Sequence, residues 1–330
     1  MHADHRARLL AEGPEREEAY AKHPVVTDRA KIATPSVKAA EERISELVYH
    51  REVGGYWVAP PRSGKTSAIA LISEMIARKF PEAFVAVFGA KAHRTHSELT
   101  YFTDLLFDLG HGGLGGRVSD KRVHFLKTVI AQCRSKRSDC FLMFVDEGQN
   151  WREFELELLK DLENDLRRTG NITTITIFFA HTNIEVERSK LLSHSRTDLV
   201  DRYLVDGNEF LGTGSLNDVR EVLAAYDDAR FHQFPEGSGL SFSEFLLPRA
   251  FRQGWRLAAE AEGAWAAFQQ STQFRVDDRS NSISMNVVAR SIRNFFFVVN
   301  DREHQEIWGQ SIWIDAIRPA QRRRDPDGKD

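Results

Sequence analysis

Four short stretches of this 330-residue chain carry apolar residues at successive rather than alternate positions: GYWVA (55–59), AFVAVFGA (83–90), the start of CFLMFVDE (140–147) and, between threonines, the start of ITTITIFFAHTN (172–183). A strand with one wetted face alternates apolar and polar residues. A strand that is apolar throughout needs cover on both sides, and a parallel sheet flanked by helices provides it. Helical periodicities fill the intervals: TSAIALISEMIARKF, closed by Pro81, then ELTYFTDLLFDLG, KRVHFLKTVIAQCR, and FELELLKDLENDLRRTG with its glycine stop. A further helix precedes the first strand, from Ser36 to Arg51, with Val37, Ala40, Ile44, Leu47 and Val48 at helical spacing and Gly54-Gly55 behind it. The order predicts an α/β fold, a parallel sheet covered by helices on both faces. A hydrophobic content of 42% is ample for its core.

Changes of pattern divide the chain. Residues 1–35 are charged, weakly periodic and interrupted by Pro14, Pro24 and Pro35, which reads as an N-terminal arm. Residues 36–210 carry the α/β pattern. From 211 to 271 only helices are expected, SLNDVREVLAAYDD and SFSEFLLPRAFRQGWRLAAEAEGAWAAFQQ, as a separate helical lid. Residues 272–330 read as a C-terminal extension ending in a charged tail, QRRRDPDGKD, of the composition of a disordered terminus. No apolar stretch is long enough for a bilayer and the N-terminus is charged, so neither a membrane span nor a secretory signal is expected, and the cytoplasm is the expected compartment. Cys133 and Cys140 lack a second ligand pair for zinc and suit a reducing compartment, as structural residues.

The first strand runs into APPRSGKT and then into a helix. The pattern G-x-x-x-x-G-K-[ST] is met at Gly64, Lys65 and Thr66, with Ala59 in place of the first glycine. Loops of this kind turn successive backbone N–H groups around phosphate oxygens at a helix N-terminus, and the segment that would form it here is Ala59, Pro60, Pro61, Arg62 and Ser63 through Ser67. Lys65 reaches the outer phosphates and Thr66 ligates Mg²⁺. The alanine adds one methyl at a position that needs little bulk, and the second glycine, where backbone must approach phosphate, is intact. An exposed basic turn is the other reading. In CFLMFVDEGQNW, Asp146 ends a strand where it could hold Mg²⁺, and Glu147 could polarise an attacking water. The two acids could equally begin a solvated loop, but ligands gather at the carboxyl ends of parallel strands, where both motifs lie. Thr182 and Asn183 end the last strand and could orient the water, or Asn183 could cap the next helix.

This order of parts, with DEGQ for the acids, resembles the AAA+ ATPases, and among them the transposition regulators of the TniB, TnsC and MuB kind, whose second motif commonly reads Asp-Glu-Ala-Gln. The likeness spans roughly residues 36–270 and implies an AAA+ P-loop NTPase with a C-terminal helical lid. It implies ATP and Mg²⁺ as cofactors and hydrolysis of ATP to ADP and phosphate. By that resemblance Asn183 looks like the sensor-one residue, Arg196 and Arg202 resemble the segment that supplies an arginine finger to a neighbouring subunit, and Arg256 looks like the sensor-two arginine, although Gly254-Trp255-Arg256 is one residue shorter than the family spacing. Most arginines are surface residues, and that reading stays open for each. A guanidinium supplied in trans implies a homo-oligomer, ring or helical filament.

A net charge of −3 excludes global attraction to nucleic acid, so any contact needs a local patch. The resemblance points to Lys91, His93 and Arg94, then Arg117, Lys121 and Arg122, as residues tracking the backbone of double-stranded DNA; a solvated charged loop has the same composition. The implied function is an ATP-dependent regulator that oligomerises on target DNA, recruits or activates a transposase, alone or with a target-selector protein, and is dismantled by hydrolysis. A helicase-loader or replication-initiator ATPase shares every motif. An NTPase without DNA dependence and a scaffold with a loop too distorted for ATP are further alternatives.

Overall fold

The computed structural model describes residues 2–60, 63–112, 115–205, 207–271, 282–300 and 308–321. The chain divides into two compact units, one of residues 37–61 and 65–210, the other of residues 1–36, 62–64 and 211–330. Two short helices open the chain, α1 (His2–Leu10) and α2 (Pro14–Lys22), and belong to the second unit.

The first unit is the sheet unit. Helix α3 (Pro35–His50) leads to β1 (Gly54–Val58), then α4 (Lys65–Lys79), β2 (Phe84–Gly89), α5 (Glu98–Asp108), α6 (Val118–Ser135), β3 (Cys140–Asp146), α7 (Glu153–Gly170), β4 (Thr173–Ala180), α8 (Ile184–Ser193), α9 (Thr197–Tyr203) and β5 (Gly207–Glu209). The strands pair in parallel in the order β2-β3-β4-β1-β5. Odd and even positions of the apolar strands go to opposite cores. Phe141, Met143 and Val145 pack with α5, α6 and α7 residues such as Phe102, Phe125 and Leu159, whereas Cys140, Leu142 and Phe144 pack with Ile44 of α3 and Ile69 and Ile72 of α4. Cover on both faces, as the strand composition required, is what the structure has. The strand β5 was not expected, because Gly-Asn-Glu offers no apolar pattern; it is held by backbone register to β1 alone.

Both cysteines are free and buried in this unit, and burial pushes the Cys133 thiol up to about 12, which suits a structural role. No helix among the described residues is long and apolar enough to cross a membrane.

The second unit is helical: α10 (Leu216–Asp227), α11 (Phe242–Leu246), α12 (Pro248–Arg252), α13 (Ala261–Gln270), α14 (Met285–Asn300) and α15 (Gln310–Gln321). Its core differs from the expected division at both ends. Leu9 and Val25, from the stretch read as an arm, are buried with Val222, Phe245, Ile292 and Trp313. The last two helices belong to the same core, with the Phe295 ring stacked on Trp313 at 4.3 Å between centroids. The weak periodicity of residues 1–35 hid this, because a few large apolar contacts, rather than a continuous helix face, attach them. The extreme C-terminus, 322–330, including nearly all of the charged tail, lies outside the described residues.

His23 is a further attachment of this stretch, fully buried. Its ring stacks on Phe245 and meets Phe234 and Phe242 edge-on, all at about 5 Å. The Val25 N–H donates to His23 Nδ1 at 3.2 Å, so Nε2 carries the ring proton, and it has no partner among the described residues. Burial, with a smaller contribution from Arg16, lowers its pKa from 6.5 to about 3. A folded pKa below the unfolded one means the unfolded chain takes up the proton first as pH falls. The resulting stability is complete above pH 6.5 and is lost progressively down to about pH 3. We expect the unfolding free energy of this unit, measured by urea titration, to fall across that window by up to about 1.4 kcal/mol per pH unit, and His23→Phe to flatten the dependence while lowering stability at neutral pH. An equal slope in both proteins would remove His23 as the cause.

Candidate nucleotide site

The loop between β1 and α4 continues the sheet before it leaves it. Ala59 is fully buried in the apolar core of the α3 and α4 face, and its N–H donates to Ala180 O at 2.9 Å. A methyl group therefore fills core space where the motif has glycine. Pro60 is half-buried, and Pro61 and Arg62 lie outside the described residues. Gly64 has φ +88°, a conformation that side chains rarely adopt, so the second glycine is required by the backbone itself. Ser63 is buried and its Oγ has no partner among the described residues. Lys65 and Thr66 begin α4, and Ser67 is exposed in the same turn.

Two contacts tie this loop to the end of β3, although β4 lies between β1 and β3 in the sheet. The Thr66 hydroxyl donates to Asp146 Oδ2 at 2.6 Å, and Lys65 Nζ is 3.8 Å from Glu147 Oε1. Asp146 Oδ1 accepts the Glu147 N–H at 2.9 Å. Glu147 itself is left-handed, φ 55° and ψ 36°, a conformation that costs a non-glycine residue about 1–3 kcal/mol and that surrounding structure must hold.

That holding comes from residues the motif reading passed over. Gln149 Nε2 donates to Glu147 Oε2 at 2.6 Å, and its Oε1 accepts the His181 N–H at 2.8 Å. The Asn150 side chain donates to Ala90 O at 2.8 Å. Asn183 is exposed at the start of α8 and makes no side-chain capping bond, so the link from the acids to the end of β4 runs through Gln149 and His181 rather than through Asn183. Only the polarity of GQN was legible in the sequence; which way each amide points depends on the tertiary fold.

Gly148 lies between the acid and the amide. A Cβ there would stand 2.7 Å from Phe178 Cδ1, and Phe178 is itself fully buried between Trp151 and Tyr203. The alanine common at this place in the resembling motif is thus excluded by the Phe178 ring. Gly148→Ala is expected to cost about 1–3 kcal/mol by overpacking, measured by thermal unfolding. Part of the loss should be recovered when Phe178→Leu is added, and no recovery would mean that the strain lies elsewhere.

The arginines are engaged within their own units. Arg196 Nη1 bonds Glu153 at 2.7 Å and Glu157 at 2.6 Å, and its Nε bonds Asp198 at 3.1 Å. Together with Lys160 it holds the Asp198 carboxyl well below the usual carboxylate range. Arg202 Nε is 3.1 Å from Glu163 Oε2. Glu163 is buried, accepts from Thr176 and Tyr203, and is pushed up by burial to about 7. Arg256, in the helical unit, lies over the Phe251 ring at 3.6 Å and donates to the Phe251 and Trp255 carbonyls.

The proposed DNA residues separate in the same way. Lys91 Nζ and His93 Nε2 share the Asp104 carboxylate, each at 2.7 Å; Arg122 pairs with Asp165 at 2.7 Å; and Lys121 is buried. Arg94 and Arg117 are exposed.

No protein-family model and no curated protein matches the sequence. Solved structures do match its fold. The Aeropyrum pernix ORC2 protein in its ADPNP–ADP complexes aligns with a TM-score of 0.57 at 10% identity, over 90% of this chain and 71% of that one. The ADP form of the same protein gives 0.52 at 11% identity, over 88% and 69%. The A. pernix ORC1 protein in complex with DNA gives 0.50 at 12% identity, over 91% and 69%. The chain has the AAA+ fold. Within that AAA+ fold the Thr66–Asp146 and Lys65–Glu147 contacts fall at the carboxyl ends of the central parallel strands, where such sheets bind ligands.

Proposed function

We propose that this protein is an ATP-hydrolysing AAA+ switch that assembles on double-stranded DNA as a homo-oligomer. The observation that carries the reading is the junction of the two motifs, Thr66 bonded to Asp146 with Lys65 beside Glu147. The residues suit the groups they would hold. A hydroxyl and a carboxylate oxygen already together are the hard oxygen donors that Mg²⁺ takes. The buried Ser63 Oγ, which has no partner among the described residues, is a polar atom that a phosphate oxygen would satisfy. Mg²⁺, when bound, neutralises charge developing on the phosphoryl oxygens. Lys65 and the first N–H groups of α4 bind the phosphates, Thr66 and Asp146 hold the metal, and Glu147 orients the attacking water and takes its proton.

The arginines act after exchange of partners. Arg196 can serve as a finger to a neighbouring copy only by leaving Glu153, Glu157 and Asp198, so assembly and turnover are coupled through that exchange. Asn183 and Arg256 keep the sensor roles that the resemblance gives them. On DNA, Arg94 and Arg117 are the cations exposed to meet phosphate, whereas Lys91 and Arg122 are neutralised within the fold. Backbone contacts of that kind are weakly sequence-specific and salt-sensitive.

For the partner, the fold likeness to the ORC proteins supports a replication-initiator or helicase-loader role, and this is the reading we take. A second reading, a transposition regulator that recruits a transposase, alone or with a target-selector, has the DEGQ motif in its favour. The test is ATP turnover with and without duplex DNA, with sedimentation of the assembly, followed by binding to a purified replicative helicase or transposase. DNA-independent turnover, or no nucleotide binding, would reject the switch.

A further inference from the structure

Gln149 makes a two-ended bridge that the proposed chemistry has not used. A backbone N–H can only donate, so the Gln149 atom 2.8 Å from the His181 nitrogen is the carbonyl oxygen, Oε1. That assignment turns the amide NH₂ toward Glu147, whose Oε2 accepts at 2.6 Å. The orientation of the amide, ambiguous for most glutamines, is fixed here by chemistry. One end of the bridge is a rigid strand terminus, because His181 follows β4, whose Ala180 carbonyl also accepts the Ala59 N–H. The other end is a carboxylate on a left-handed residue with no strand of its own to orient it. Gly148, pressed on Phe178, fixes the backbone between acid and amide.

We propose that Gln149 is the positioning residue for Glu147: it holds the carboxylate against the end of β4 and so sets the direction in which Glu147 faces its water. The inference rests on the reading of Glu147 as the water-activating group. A donor amide is suited to the task because it leaves the second carboxylate oxygen, Oε1, available, and that oxygen faces Lys65. It also makes any shift of the loop after β4, which carries Thr182 and Asn183, a shift of Glu147.

Two substitutions separate the ends of the bridge. Gln149→Glu keeps an acceptor for the His181 N–H and replaces the donor to Glu147 with a like charge; Gln149→Ala removes both. We expect kcat for ATP to fall about 10-fold or more in each, a part of the 10²–10⁴ that a well-placed base supplies, with KM within about 2-fold. Neither should add to the loss in a Glu147→Gln background. A purely structural glutamine gives the opposite pattern: Gln149→Glu rescues turnover, or KM and kcat change together, and either result overturns the proposal. A readout without turnover is hydrogen exchange at the His181 amide in the nucleotide-free protein. It should be faster in Gln149→Ala and near wild type in Gln149→Glu; unchanged exchange in Gln149→Ala means that there is no bridge and also overturns it. A wild type that does not hydrolyse ATP refutes the proposed function and the kinetic role with it, while the exchange measurement still decides whether the bridge exists.

Discussion

Glu147→Gln is expected to bind ATP as the wild type does and to turn it over 10²–10⁴-fold more slowly, about the range that a positioned general base contributes. The amide keeps the size of the side chain and can still meet Gln149, but it cannot take a proton from water. Lys65, Thr66 and Asp146 are untouched, so phosphate and metal binding should persist, and the two effects separate in a binding assay run beside a phosphate-release assay. If nucleotide occupancy controls assembly, the variant should stay on duplex DNA as a long-lived oligomer where the wild type disassembles. Wild-type turnover in Glu147→Gln would take Glu147 out of the mechanism. The same small, DNA-free species from both proteins would reject the switch.

Gly54→Ala should have the largest effect on stability. Gly54 opens β1 at φ +132°, and a Cβ there would lie 2.0 Å from the Thr176 carbonyl oxygen and 2.8 Å from its carbon. These are backbone atoms of β4, a central strand, with Thr176 fully buried and bonded to Glu163, so nothing nearby can swing aside. Strain and collision act together, and we expect a loss of about 4 kcal/mol or more, at the upper end for a single substitution. That corresponds to a fall in Tm of roughly 10 °C for a unit of this size. Gly112→Ala is the control, since a Cβ at Gly112 meets nothing within 4 Å among the described residues and its backbone is not in the left-handed region. A Gly54→Ala protein that melts with the wild type would show that β1 and β4 pair differently at this end.

What could be read in advance followed from how local each signal is. The run at 140–145 declares its strand because every position is apolar, the run at 172–180 because only β-branched threonines interrupt its apolar residues, and SGKT declares its loop because the glycine, the lysine and the helix start adjoin one another. The strand β5 escaped because only backbone bonds to β1 define it. His23 escaped because its partners, Phe234, Phe242 and Phe245, are more than two hundred residues away in sequence. Arg196 looked available in the sequence, since nothing local shows that Glu153 and Glu157, a helix earlier, would be waiting for it. Gln149 was quoted within a motif and assigned nothing, because an amide acquires a role only when the atoms at both its ends are known.

The helical unit has an unusual schedule built into it. Leu9 and Val25 share a core with Val222, Phe245, Phe295 and Trp313, so during synthesis residues 1–36 wait for partners that begin to emerge only after β5 and are complete only with α15. The sheet unit, residues 37–61 and 65–210, has all its strands as soon as residue 209 is out. Folding on the ribosome would therefore finish the parallel sheet first and close the helical body last, with α1 and α2 as surface that a chaperone could cover in the interval.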